Sequence, residues 1–294
     1  MWRVCGRDEV SVGDLELVSS PESAGEAQKF DALVGVIALP RSGTTVVTAV
    51  LDVHSRVFGV YEPWNANKDS LDSEAMPSYR EFLDRFATKA APEADVLLVK
   101  ETATSQRYID RMGDLMRISD ASRKQLVLIL RNPLHVFLSE VQARQEWWGA
   151  PDLRINAETF SLWAQRTLDA LRRLTKMAEE FDTLLLSYER FAGSLRGVNA
   201  LTEALKLAPE PAQREFEKHL DRSRVRGDNN VGSAPRPVSS ASVQQRASEF
   251  EMIRPQIEQA AEYPRIKAIA ELFAKLPIIS RAEDQQDFLQ NISK

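Results

Sequence analysis

The sequence predicts an α/β fold: a three-layer sandwich with a central parallel sheet and a mostly helical C-terminal region. Three observations predict it. Short, near-continuous apolar runs recur through the first two-thirds of the chain, the form taken by parallel strands covered on both faces. Helical stretches alternate with them, as a doubly wound sheet requires. Each apolar run also ends in polar, chemically loaded residues, and in such sheets ligands bind beyond the carboxyl ends of the strands.

The elements follow in order. Residues 1–30 read as a peripheral arm, in which 10–18 suits a short strand or hairpin and Ser19-Ser20-Pro21-Glu22-Ser23-Ala24-Gly25 is linker-like. Residues 31–294 read as one domain. The run 33–39 (LVGVIAL) is a strand and 43–53 a helix. A short strand at 57–60 and a helix at 79–89 come next. Strand 96–100 (VLLVK) precedes helix 105–118, and strand 125–130 (QLVLIL) precedes helix 134–147. The stretch 157–181 is a long helix, because Phe160, Trp163, Ala164, Leu168, Leu171 and Leu174 recur at helical spacing. Strand 183–186 follows. Beyond Phe191 helices dominate, at 243–262 and 265–276, after a loop at 227–242 rich in Gly, Pro, Ser and Asn.

Composition narrows the partners. With 43% hydrophobic and 28% charged residues the chain reads as globular. A net charge of −5 argues against nucleic-acid binding, so an anionic ligand needs a local basic pocket. Cys5 is the sole cysteine, which rules out an internal disulfide and a thiolate zinc cluster. His54, His135 and His219 are widely spaced and form no metal pattern, so no metal is expected. No apolar run is long enough for a membrane span. The acidic start, with Asp8, Glu9, Asp14 and Glu16, has no signal-peptide core, so a cytoplasmic location is expected.

The turn Pro40-Arg41-Ser42-Gly43-Thr44-Thr45 joins the first strand to its helix. A helix start presents free N–H groups and the positive end of a dipole, and it binds anions. Gly43 permits close backbone approach, Thr44 and Thr45 add hydroxyl donors, and Arg41 adds a fixed cation with a fork of donors. The turn is no Walker A loop: it has one Gly, and no Lys precedes the threonines. Four more strand ends carry polar groups: Tyr61-Glu62-Pro63-Trp64, Lys100-Glu101-Thr102, Arg131-Asn132-Pro133 and Ser187-Tyr188-Glu189-Arg190. In a doubly wound sheet all five face one crevice.

On these residues the chain resembles sulfotransferases that use 3′-phosphoadenosine 5′-phosphosulfate (PAPS), which have a three-layer fold like that of P-loop NTPases. The turn at Arg41, Ser42, Gly43, Thr44 and Thr45 is similar to their 5′-phosphosulfate loop. Arg131, with Ser139 in the following helix, is similar to their 3′-phosphate element. Tyr188 resembles the tyrosine beside the adenine. Arg224-Val225-Arg226-Gly227-Asp228-Asn229 resembles the basic loop that closes over the nucleotide, which assigns Arg226 and Gly227 to it. The stretch from Leu51 to Glu62 resembles tyrosylprotein sulfotransferases, in which a Glu is the proposed base and a Lys contacts the sulfuryl group. Glu62 and Lys100 stand at those places. The resemblance spans about residues 33–230. Arg41, where the cytosolic branch usually has Lys, points toward the Golgi-type and bacterial branches.

The resemblance implies transfer of a sulfuryl group from PAPS to a hydroxyl or amine, with adenosine 3′,5′-bisphosphate as product and no metal. Arg41 and Lys100 would stabilise charge and Glu62 would act as base, with Glu101 and His54 as alternative bases. The alternative reading of Glu62 is a structural ion pair with Arg41 or Lys100. The acceptor would be a small molecule or a glycan. Trp147, Trp148, Trp64, Asn65 and Asn67 either line its pocket or serve the core and turns. Two other readings stay open. One is a small-molecule or nucleotide kinase with an atypical phosphate loop; the other is a non-catalytic nucleotide-binding protein. The oligomeric state and the role of the arm are not fixed by any residue pattern.

Overall fold

The apolar runs become strands β1 (Ala32–Ala38), β2 (Val57–Tyr61), β3 (Val96–Thr102), β4 (Arg123–Leu130) and β5 (Thr183–Ser187), joined late in the chain by β6 (Ile279–Arg281). This is a computed structural model, which describes residues 29–64, 78–88, 90–146, 148–192, 195–214 and 240–293. The predicted N-terminal arm up to residue 28 therefore lies outside the described residues. The six strands form one sheet in the order β2-β3-β1-β4-β5-β6. All neighbours are parallel except β6, which runs antiparallel to β5. In register, Ala38 lies beside Thr102 and Leu130 beside Ser187. The carboxyl ends of the five parallel strands thus share one edge.

The central sheet is as expected from the sequence, with one addition. β6 is only three residues long and sits after the last predicted helix. It zips onto β5 because Ser187 N–H donates to the Ile278 carbonyl (3.0 Å) and Ala282 N–H to the Thr183 carbonyl (2.9 Å).

Strand alternation divides the side chains between two faces. Leu33, Ile37, Leu97, Val99 and Leu128 point into one core. This core is closed by α3 (Gln106–Ile118), α4 (Pro133–Glu146) and α5 (Ala157–Glu180), and by the C-terminal helices α9 (Ser240–Ile257), α10 (Tyr263–Lys275) and α11 (Gln286–Ser293). Val34, Val36, Leu98, Val127 and Leu186 point the other way, against α1 (Thr44–Asp52) and α7 (Leu195–Ala204). The other α-helices among the described residues are α2 (Tyr79–Phe86), the one-turn α6 (Tyr188–Phe191) and α8 (Pro211–Arg214). Both faces being covered explains why the strands read as continuous apolar runs.

Local chemistry sets the helix starts. Ser78 and Glu81 form a reciprocal capping box on α2, and the Asn156 side chain accepts the Thr159 N–H of α5 at 2.8 Å. β1 approaches α3 closely at Gly35, where an added Cβ would stand 2.9 Å from the Met112 sulfur and 3.2 Å from Leu126. Only a residue without a side chain lets α3 settle at that distance.

Candidate functional site

The turn after β1 is wound tightly. Ser42 N–H donates back to the Leu39 carbonyl (3.3 Å), and two residues within three positions are left-handed: Arg41 at φ 62° and Gly43 at φ 89°. Glycine adopts this conformation freely, whereas for arginine it costs on the order of 1 kcal/mol. Gly43 meets a second constraint. A Cβ there would lie 2.0 Å from the Tyr188 ring, so the ring rests directly on the turn. α1 then starts at Thr44 with no side-chain cap. Its first N–H groups are left for another acceptor, at the positive end of the dipole. Ser42 is buried, and its Oγ has no hydrogen-bond partner among the described residues. Thr44 is buried and Thr45 half-buried beside it.

The end of β4 reaches the same turn. Arg131 is buried, and its Nη1 donates to the Arg41 carbonyl at 2.6 Å. Its guanidinium stacks over the Tyr188 ring, 4.8 Å from the centroid, as a cation–π pair. Arg131 Nε has no partner among the described residues. Burial holds the Arg131 pKa below its ordinary value, partly offset by Tyr188 and Glu189 and reinforced by Arg246. Arg41 Nε in turn donates to Ser139 Oγ on α4 at 3.3 Å. Sequence spacing left open how Arg131 and Ser139 meet across eight residues. They do so through Arg41, which touches both.

Glu189 fastens the start of α4. It accepts the Asn132 N–H at 2.9 Å, while Asn132 Oδ1 accepts the Leu134 N–H at 3.0 Å. Burial raises the pKa of Glu189. His135 Nδ1 is 3.8 Å from its carboxylate, too far for a hydrogen bond.

A second cluster lies at the ends of β2 and β3. Alternation puts Lys100 on the α1 face, following Val96 and Leu98, and Glu101 on the opposite face with Leu97 and Val99. Lys100 Nζ donates to Glu62 Oε1, and Thr102 Oγ1 donates to the same oxygen at 2.9 Å. Glu62 is buried and left-handed, at φ 46°, and its N–H continues the ladder to the Lys100 carbonyl at 2.7 Å. The structure therefore pairs Glu62 with Lys100, one of the two partners expected for it. Glu101 is fully buried and accepts the Thr102 N–H (2.8 Å) and the Trp64 N–H (3.3 Å). Burial pushes its carboxyl up to about 8, and the neighbouring Glu62 adds to this. The two N–H donors and Lys100 pull the other way.

Other expected residues lie elsewhere. His54 follows α1, whose nine residues carry the chain back to the opposite edge of the sheet, roughly 15 Å from the turn at 1.5 Å per residue. Its Nε2 lies 2.9 Å from the Ala208 carbonyl, and its Nδ1 accepts the Arg56 N–H at 3.1 Å. It ties two segments together and stands apart from Glu62 and Lys100. Arg224, Arg226, Gly227, Asn65, Asn67 and Trp147 lie outside the described residues. Trp148 is 42% exposed, whereas Trp64 is buried in the core beside Phe82. Among the described residues no group of His, Cys, Asp and Glu could hold a metal ion, and no helix is long and apolar enough to cross a membrane.

Sequence reading missed Arg246 on α9. Its Nη1 donates to Gln142 Oε1 of α4 and pairs with Glu249 at 2.7 Å. No motif marks it, and only the packing of α9 on α4 brings it here.

Comparison with solved structures agrees with this architecture. The chain superposes on the sulfotransferase domain from the olefin synthase of Synechococcus PCC 7002 with a TM-score of 0.53 and 16% identity, covering 87% of this chain and 99% of that one. It has a sulfotransferase-like fold. The sulfotransferase domain from the curacin biosynthetic pathway superposes equally well, at TM-score 0.53 and 16% identity, over 85% of this chain and 100% of that domain. No family model and no curated protein sequence matches the chain.

Proposed function

We propose that this sulfotransferase-like fold carries out PAPS-dependent sulfuryl transfer to a hydroxyl of a small-molecule or glycan acceptor, within one domain spanning 31–294 in the cytoplasm. The observation that carries the reading is the meeting of Arg41, Arg131 and Ser139 around an uncapped helix start. The donor set suits a phosphorylated nucleotide. Ser42 Oγ and Arg131 Nε are buried hydrogen-bonding groups without partners among the described residues, and such groups are costly unless an acceptor meets them. Arg131 and Ser139 would hold the 3′-phosphate, the Arg41 turn the 5′-phosphosulfate, and Tyr188 the base.

PAPS supplies the sulfuryl group and, once its phosphate–sulfate S–O bond breaks, leaves as adenosine 3′,5′-bisphosphate. The residues do the rest. Glu62 accepts the proton of the acceptor hydroxyl as its oxygen bonds to sulfur. Thr102 and Lys100 orient the Glu62 carboxylate beforehand. Lys100 and Arg41 then stabilise negative charge on the transferring and leaving oxygens; losing one such donor costs on the order of 3–4 kcal/mol in the barrier. Trp64, two residues on, is buried and its N–H is held by Glu101, which fixes the chain just after Glu62.

The test is calorimetric titration with adenosine 3′,5′-bisphosphate, ADP and AMP without Mg²⁺. Micromolar binding that needs the 3′-phosphate is the expected result. Binding of ADP only, and only with Mg²⁺, would favour a kinase instead. Nucleotide binding with no turnover on phenol, sugar or alcohol acceptors would favour the non-catalytic reading.

A further inference from the structure

Helix α4 presents His135, Ser139 and Gln142 at i, i+4 and i+7, which lie in one stripe of its surface. Two of them bond a cation. Ser139 accepts from Arg41 at 3.3 Å, and Gln142 accepts from Arg246. His135 is 8% exposed, and its Nδ1 has no hydrogen-bond partner among the described residues. Burial, then the charges of Arg131 and Arg246, push its imidazole down to about 4, and the Glu189 carboxylate lies 3.8 Å from its Nδ1. Arg131 feels Arg246 as a like charge as well. The turn after β1 and helix α9 thus each bond an arginine to one stripe of α4, and Arg131 at the end of β4 joins this group through the Arg41 carbonyl. Glu249 balances part of the Arg246 charge, yet the Arg246 side chain keeps 26% of its surface open. Like charges gathered around neutral side chains repel one another, and a polyanion relieves this.

We infer that Arg246 is a specificity-determining residue for the 3′-phosphate, carried by α9 to Gln142, one helical turn beyond Ser139. The inference deepens the nucleotide reading above and rests on it. A nucleotide with a 3′-phosphate gains a third guanidinium from the C-terminal helical region. One without it gains nothing from Arg246.

The experiment titrates adenosine 3′,5′-bisphosphate and AMP into the full chain and into R246A, R246K and Q142A, with circular dichroism to check folding. In wild type the bisphosphate is expected to bind well ahead of AMP. In R246A that preference should fall about tenfold, through loss of one charge-assisted hydrogen bond, while AMP affinity changes less than twofold. R246K should restore part of it. An unchanged preference in R246A, or equal losses for both nucleotides, overturns the assignment of Arg246 and leaves the nucleotide reading standing. A wild-type chain that does not distinguish the two nucleotides overturns the nucleotide reading itself. Should R246A fail to fold, Q142A decides: a preference lowered several-fold supports the inference, and an unchanged one overturns it.

Discussion

The two ends of the crevice handle charge in opposite ways. At the ends of β2 and β3, cation and anion are already matched: Lys100 and Thr102 converge on one Glu62 oxygen, and Glu101 accepts two N–H groups. At the ends of β1 and β4, the buried cation Arg131 spends its contacts on a carbonyl and an aromatic ring, and Ser42 Oγ and Arg131 Nε have no partner among the described residues. The first end has its charges matched within the protein, and in the proposed function it carries the proton transfer. The second holds the Glu189 carboxylate beside Arg131, yet keeps two buried donor groups without a partner among the described residues, which in the proposed function meet the nucleotide. On the proposed function, one surface thus separates affinity from chemistry, each held by different strands.

Substitutions should break that separation in a predictable order. Glu62→Gln is expected to lower transfer by about 10²–10⁴-fold, the usual weight of a general base. Its affinity for adenosine 3′,5′-bisphosphate should stay within about threefold; initial rates on an acceptor panel, paired with calorimetry, check both. Arg131→Ala should do the reverse first, weakening nucleotide binding by about 30- to 100-fold for the loss of a buried charge-assisted contact. A wild-type affinity in that variant would remove Arg131 from the phosphate site.

Gly43→Ala strikes both properties. Its Cβ collides with the Tyr188 ring and its φ is left-handed, so a destabilisation of about 1–3 kcal/mol is expected. Nucleotide affinity should fall with it. Gly35→Ala is the control, since it crowds Met112 on the other face. It should cost about 1–2 kcal/mol in urea unfolding and leave affinity unchanged.

The smallest effect concerns pH. Glu101 is raised from 4.5 to about 8 in the folded chain. Across that window the folded state binds more protons than the unfolded one, so Glu101 makes stability fall as pH rises. His135, lowered from 6.5 to about 4, acts in the opposite direction between those values. Above 6.5 only the Glu101 effect persists. Melting temperature should decline between pH 6.5 and 8.5, and Glu101→Gln should flatten the decline.

The sheet was legible because two-sided burial writes itself as apolar runs, and the Arg41 turn because a lone Gly between such a run and a helix has few other uses. Glu62, Lys100, Arg131 and Tyr188 were legible as strand ends. What they touch was not: that Lys100 turns to Glu62 while Glu101 turns away follows from pleat parity, which becomes meaningful only once each face has a core. His54 read as a candidate base, yet nine residues of helix carry it to the far edge. β6 escaped notice because three residues on an edge leave no periodicity. Arg246 escaped because its place depends on how α9 lies on α4, a contact between segments about a hundred residues apart.

The seat of the Tyr188 ring on Gly43 has an evolutionary consequence. Positions 43 and 188 compete for one volume although they follow the first and fifth strands, so neither is free to vary alone. A lineage that enlarges residue 43 must shrink residue 188 in the same step or lose the turn. Since residue 188 also faces Arg131, that compensation would strip the arginine of its ring. A change at either site would thus reach the Arg131 contact as well as the turn.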